Sequence, residues 1–133
     1  MVLQDSVNEL KHRRQLALQM GGPEGVARQR QRGKLLVRER IEALADARSF
    51  REIGVLAGSE TYEDDKLVSF TPAAWIIGTC MLDGRKVVIS CGDFTVRGGA
   101  LSGGGGSSKS VYAQKVARSI GVRTISARSG HLS

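Results

Sequence analysis

The 133-residue sequence predicts an α/β domain with a helical N-terminal arm. Three observations carry this. Apolar residues recur at helical spacing across residues 3–47. Two apolar runs, Ala73–Leu82 and Lys86–Ser90, flank an Asp83-Gly84-Arg85 turn, a strong hairpin signal. The second run leads through a glycine-rich tract into another helical pattern near Ser108. The chain divides accordingly into a helical arm at 1–47 and a strand-rich body at 48–133.

In order, residues 3–20 read as a helix, with Leu3, Val7 and Leu10 at i, i+4, i+7 and a basic cluster from Lys11 to Arg14. His12 within that cluster reads as a solvated surface residue. Gly21-Gly22-Pro23 stops the helix. Glu24–Ala47 is a second helical region that Gly33 divides. Its first half carries Arg28, Arg30, Arg32 and Lys34, and its second half repeats Val37, Ile41 and Leu44 on a face that must pack. Phe50–Val55 alternates like a half-exposed strand. Residues 57–72 are polar and acidic and read as a mobile loop. The hairpin strands follow, then a helix over about 108–119 closed by Gly121, then a short strand at Val122–Ser126.

Composition bounds the function. A net charge of +7 favours anionic partners: nucleic acid, a phosphorylated cofactor or an acidic protein face. Cys80 and Cys91 lack metal-ligand spacing, which argues against a zinc site and for buried free thiols in a reducing, cytoplasmic setting. Adjacent acids at Glu63, Asp64 and Asp65 lack a calcium-loop frame, so no metal site is expected. No apolar run approaches the roughly 18 residues that span a bilayer. The N-terminus has no apolar signal region.

The tract Lys86–Lys109, KVVISCGDFTVRGGALSGGGGSSK, carries the chemistry. A strand, a glycine loop and a helix start can present bare N–H groups to an anion or a polarised carbonyl. Spacing alone equally admits a flexible surface loop. Two phosphate motifs fail. Gly103–Ser110 resembles a Walker A loop, but Ser108 replaces its second glycine and Cys91–Ser102 separates it from the strand. A dinucleotide fingerprint fails because Ser108 also replaces the third glycine of Gly103-x-Gly105.

Read together, RGKLLVRERIEAL (Arg32–Leu44), SFREIG (Ser49–Gly54), the Asp83-Gly84-Arg85 turn and DFTVRGGALS (Asp93–Ser102) occur in one order. This order resembles the carboxyltransferase (β) subunit of biotin-dependent acyl-CoA carboxylases, from about Gly25 to about Val122. The resemblance implies a partial crotonase-like fold, with residues 48–133 an incomplete acyl-CoA carboxyltransferase domain. It implies an acyl-CoA substrate and carboxybiotin carried by a partner domain. It also implies biotin carboxylase and biotin carboxyl carrier partners in a homo-oligomeric assembly. In such enzymes peptide N–H donors hold the thioester and biotin oxygens. On that footing Arg97, Gly98 and Gly99 line the acyl-CoA side, and Arg32 and Lys34 reach the CoA phosphates or a neighbouring subunit. No catalytic side chain is assigned.

The sequence departs from the pattern at its end. Where the family has a glycine pair that holds the thioester oxygen, this chain reads ISARSGHLS. The second, biotin-binding domain has no counterpart in these residues. The chain alone is therefore expected to be inactive. The rival reading is a basic interaction module for nucleic acid or an acidic partner. It rests on charge alone, and the missing aromatic interleaving argues against single-strand binding.

Overall fold

The computed structural model describes residues 2–96, 98 and 106–128. In chain order the elements are α1 (Val2–Leu18), α2 (Gly22–Gln31), α3 (Val37–Leu44), β1 (Arg51–Ile53), β2 (Gly58–Glu63), β3 (Lys66–Pro72), β4 (Trp75–Leu82), β5 (Arg85–Gly92), α4 (Gly106–Ile120) and β6 (Arg123–Arg128). Gly22 and Pro23 end one helix and begin the next, because proline's missing N–H is not needed in a first turn. Gly33, at φ +70°, turns the chain between α2 and α3. In α3 the Glu39 carboxylate accepts the Leu36 N–H at 2.8 Å, which satisfies one orphan donor of the helix start.

The main sheet has the order β1-β4-β5-β6. β4 pairs antiparallel with β1 and β5, and β6 lies parallel to β5. The β4–β5 turn is the predicted one: Asp83 and Gly84 both have positive φ, as a two-residue hairpin requires. Strand periodicity sorts the core. Ile76, Cys80, Val87, Ile89 and Cys91 face α3, where Val37 and Ile41 meet them. Ile77 and Val88 point to the other face, against Ala113 and Ala117 of α4. The result is helix, sheet, helix, with α4 as the crossover that parallel β5 and β6 require.

Residues 57–72 are not a loop. They form the antiparallel β2–β3 hairpin, turned at Asp64 and Asp65, both at positive φ. Both strands are mostly exposed, so little apolar alternation marks them. Their anchor is one-sided: the Arg13 guanidinium lies 5.2 Å from the Phe70 ring centre and donates to the Tyr62 hydroxyl at 2.8 Å.

The change of element type at residue 47 is not a change of core, since α3 supplies Val37 and Ile41 to it. Leu44, on the same predicted stripe, is 52 % exposed. Its inner side borders a void of about 50 Å³ shared with Cys91 and Ala127. Both cysteines are free and buried, and burial pushes the Cys91 thiol up to about 11, which makes it a poor nucleophile. No helix among the described residues is long and apolar enough to cross a membrane.

Asp46 ties α3 to the central hairpin. Its two carboxylate oxygens accept the Asp83 and Gly84 N–H groups, each at 2.9 Å, and its own N–H donates to the Met81 carbonyl at 2.8 Å. Asp46→Ala is expected to cost about 1–2 kcal/mol, because two charge-assisted bonds are lost at a wet turn. A denaturant titration checks this, and an unchanged midpoint would mean that water replaces the carboxylate at no cost.

Candidate functional site

The motif Asp93–Val96 leaves β5 as a tight turn. Asp93 N–H donates to the Ala74 carbonyl at 2.6 Å, and Val96 N–H returns to the Asp93 carbonyl at 3.1 Å. The Asp93 side chain is 2 % exposed. One of its oxygens accepts both the Thr95 N–H at 2.9 Å and the Thr95 hydroxyl at 2.6 Å. The Thr95 hydroxyl oxygen in turn accepts the Gly21 N–H at 3.0 Å. A Cβ on Gly21 would lie 1.8 Å from the Thr95 carbonyl oxygen, so only glycine lets α2 start this close to the turn.

This contact forms a cleft of about 250 Å³ between α2 and the turn, lined by Gly25, Arg28, Gln29, Arg32, Phe94, Thr95 and Gly98. Arg28 and Arg32 are one helical turn apart and lie on the same side of α2. The Arg32 guanidinium lies 5.6 Å from the Phe94 ring centre, a cation–π distance. Gly98 has φ +63°, a conformation that favours glycine. Such a cleft, with cations on one wall and a glycine backbone on the other, suits an anionic group of modest size.

Of the residues expected from sequence, Arg32 and Gly98 meet in this cleft. Lys34 is not among its lining residues. Arg97 and Gly99 lie outside the described residues. Sequence reasoning did not single out Phe94, Gln29 or Thr95 for the site. The four-residue spacing of Arg28 and Arg32 was readable, but nothing local pairs them with a turn some sixty positions later. A wider, open hollow of about 630 Å³ lies along α3 and residues 45–51. Three of its charged groups are already engaged: Arg38 with Glu52 at 2.6 Å, Asp46 with the hairpin turn, and Arg51 with the Arg48 carbonyl at 2.9 Å.

Burial raises the Asp93 carboxyl above its ordinary value, against the lowering effect of its Thr95 bonds. A carboxyl with a raised folded pKa binds more protons folded than unfolded, so it costs stability at neutral pH. That cost is relieved as pH falls through the raised value toward the ordinary one. Asp93→Asn keeps an acceptor for Thr95 and removes the titration. Wild type is therefore expected to gain stability relative to Asp93→Asn as pH drops from 7 toward 4, measured by denaturant midpoints. Parallel curves would show that Asp93 titrates normally.

Comparison with known proteins agrees with the fold and the motif. Residues 28–130 match the family model described as carboxyl transferase domain. The carboxyltransferase subunit of propionyl-CoA carboxylase from Haloferax mediterranei is 32% identical over 119 residues, covering 89% of this chain and 22% of that protein. The propionyl-CoA carboxylase beta chain of Cereibacter sphaeroides is 35% identical over 122 residues, covering 87% and 22%. A crystal structure of transcarboxylase 12S, described as a hexamer with methylmalonyl-coenzyme A and methylmalonic acid bound, superposes with a TM-score of 0.75. It is 30% identical and covers 92% of this chain and 24% of that one. The chain thus spans about a fifth of the length of the curated relatives it matches. Its sheet and helices are those of a crotonase-like carboxyltransferase, and the chain belongs to the carboxyl transferase domain family.

Proposed function

We propose that the chain forms the first part of the acyl-CoA half of a carboxyltransferase subunit. The complete subunit would move a carboxyl group from carboxybiotin to the α-carbon of an acyl-CoA. The observation that carries this is the family match across residues 28–130 together with the Arg28, Arg32 and Gly98 cleft inside it. On this reading the cleft takes a phosphate of CoA, and Arg97, Gly98 and Gly99 line the acyl-CoA side of the site, with Arg97 near phosphate or the pantetheine entrance. Lys34 serves the phosphates or a neighbouring subunit. Residues 1–47 form a helical arm whose last helix, α3, packs on the sheet, and 48–133 contribute the incomplete crotonase-like part. Carboxybiotin arrives on a partner domain, from biotin carboxylase and carrier subunits, in a cytoplasmic homo-oligomer. The names of the relatives and the coenzyme A ester in the transcarboxylase structure support this assignment. No protein nucleophile is needed, because the enolate of the acyl-CoA attacks and backbone N–H groups hold the developing oxyanions.

Calorimetry of the chain with CoA tests the reading. Weak binding is expected, and Arg32→Gln is expected to weaken it by about 1–3 kcal/mol, the scale of one charge-assisted contact. Absence of binding, or binding indifferent to Arg32, would remove the cleft from the site. The rival, a nucleic-acid module, predicts affinity that falls steeply with salt as phosphates are neutralised.

A further inference from the structure

We infer that Lys109 is a positioning residue, whose buried ammonium ties the start of α4 to the carbonyl beside the one that holds Asp93. Lys109 is 7 % exposed, and its Nζ donates to the Trp75 carbonyl oxygen at 3.0 Å. Asp93 N–H donates to the Ala74 carbonyl. The chain therefore leaves for the glycine tract at Asp93 and comes back at Lys109, and both residues bond consecutive carbonyls at the start of β4.

The placement is costly, which argues for a task. A cation in the first turn of a helix opposes the helix dipole, and burial strips its water. An apolar residue there would avoid both costs. Docking of α4 does not need the lysine, because Ala113 and Ala117 already pack that helix on Ile77 and Val88. The surroundings are nonetheless fitted to it. Glu52 offsets part of its charge, against the opposing charge of the Arg38 guanidinium that pairs with Glu52. Gly54, at φ +72°, lies beside the stem, where a Cβ would make an ordinary contact of 3.4 Å with Lys109 Cε. What the bond adds is a fixed spacing between the Asp93–Val96 turn and the first turn of α4.

The test uses the full chain with Lys109→Met, which keeps the length of the stem and removes the donor and the charge. Amide hydrogen exchange is followed at Asp93, Thr95 and Val96, whose N–H groups are all bonded, with Val88 and Ile89 in the sheet as reference. Exchange at the first three amides is expected to rise about tenfold or more while the reference amides hold, the pattern of a local opening. The unfolding midpoint is expected to stay or rise, because removing a desolvated charge offsets the lost bond. Unchanged exchange at Asp93, Thr95 and Val96 would overturn the inference. So would uniformly faster exchange or a chain that does not fold, since the lysine would then be holding the core. A second arm rests on the CoA reading proposed above: Lys109→Met should raise the CoA dissociation constant along with the exchange. If the wild-type chain binds no CoA, that reading fails, and the exchange data still decide the role of Lys109.

Discussion

Ile41→Asp is expected to remove most of the stability of the domain. Ile41 is 2 % exposed and sits with Val37 against Ile76, Cys80, Val87, Ile89 and Cys91. Truncating such a side chain alone costs about 2–5 kcal/mol through lost burial and the cavity left behind. A carboxylate in that space has no partner among these apolar groups, so it must either lose its hydration or take up a proton, and both add to the cost. The total is expected to exceed about 4 kcal/mol, against about 5–15 kcal/mol of stability for a typical domain. A urea titration should show a collapsed midpoint or no folded baseline. Leu44→Asp is the informative control. It lies on the same sequence stripe but is half exposed, so its cost should stay within about 1 kcal/mol. Equal losses at both positions would mean that α3 sits in the core in a different rotation.

The second large effect is on catalysis: the 133-residue chain is expected to transfer no carboxyl group when given acyl-CoA and free carboxybiotin. It spans about a fifth of the length of its carboxylase relatives. On the proposed reaction, donors must hold both the thioester oxygen and the biotin oxygen, and one such donor is worth about 2.7–4 kcal/mol. Holding the two reactants in register contributes about 7–11 kcal/mol more, and free carboxybiotin is not so held. Together these losses put turnover at the uncatalysed rate. The assay follows carboxylated acyl-CoA by mass, beside the CoA calorimetry. Product above background would show that these residues already hold a complete set of donors, and the site would have to be sought again within them.

Local patterns located most of the fold. The Asp83-Gly84 hairpin, the buried run of β5, the break at Gly33 and the helix after the glycine tract follow from turn chemistry and periodicity, which depend on neighbours in sequence. The ordered motifs Arg32–Leu44 and Asp93–Ser102 identified the family for the same reason. The β2–β3 hairpin was not legible. Its strands expose most of their surface, and its turn is built from two aspartates at positive φ where glycine or asparagine would be the usual sign. Likewise Leu44 shares the helical repeat of Ile41, and only the docking of α3 on the sheet decides which of them is covered.

The candidate site lay still further from sequence alone. Composition announced a basic helix, and the motif announced a glycine loop. Their meeting is a tertiary event: the Gly21 N–H bonds Thr95, and the absence of a Cβ at Gly21 allows it. That contact lays Arg32 over Phe94 and brings Arg28 and Gly98 to one cleft. Lys109 makes the same point from the opposite direction. In sequence it is a polar residue opening a helix, with nothing to distinguish it from a solvated cation. Only the fold buries it and turns its charge onto the Trp75 carbonyl. The sequence by itself thus determined every element but the β2–β3 hairpin, the family and the residue types available for anion binding, because those depend on short-range patterns. The tertiary structure alone decided which cations are sunk and which stay at a cleft, because desolvation depends on what the rest of the chain packs around them.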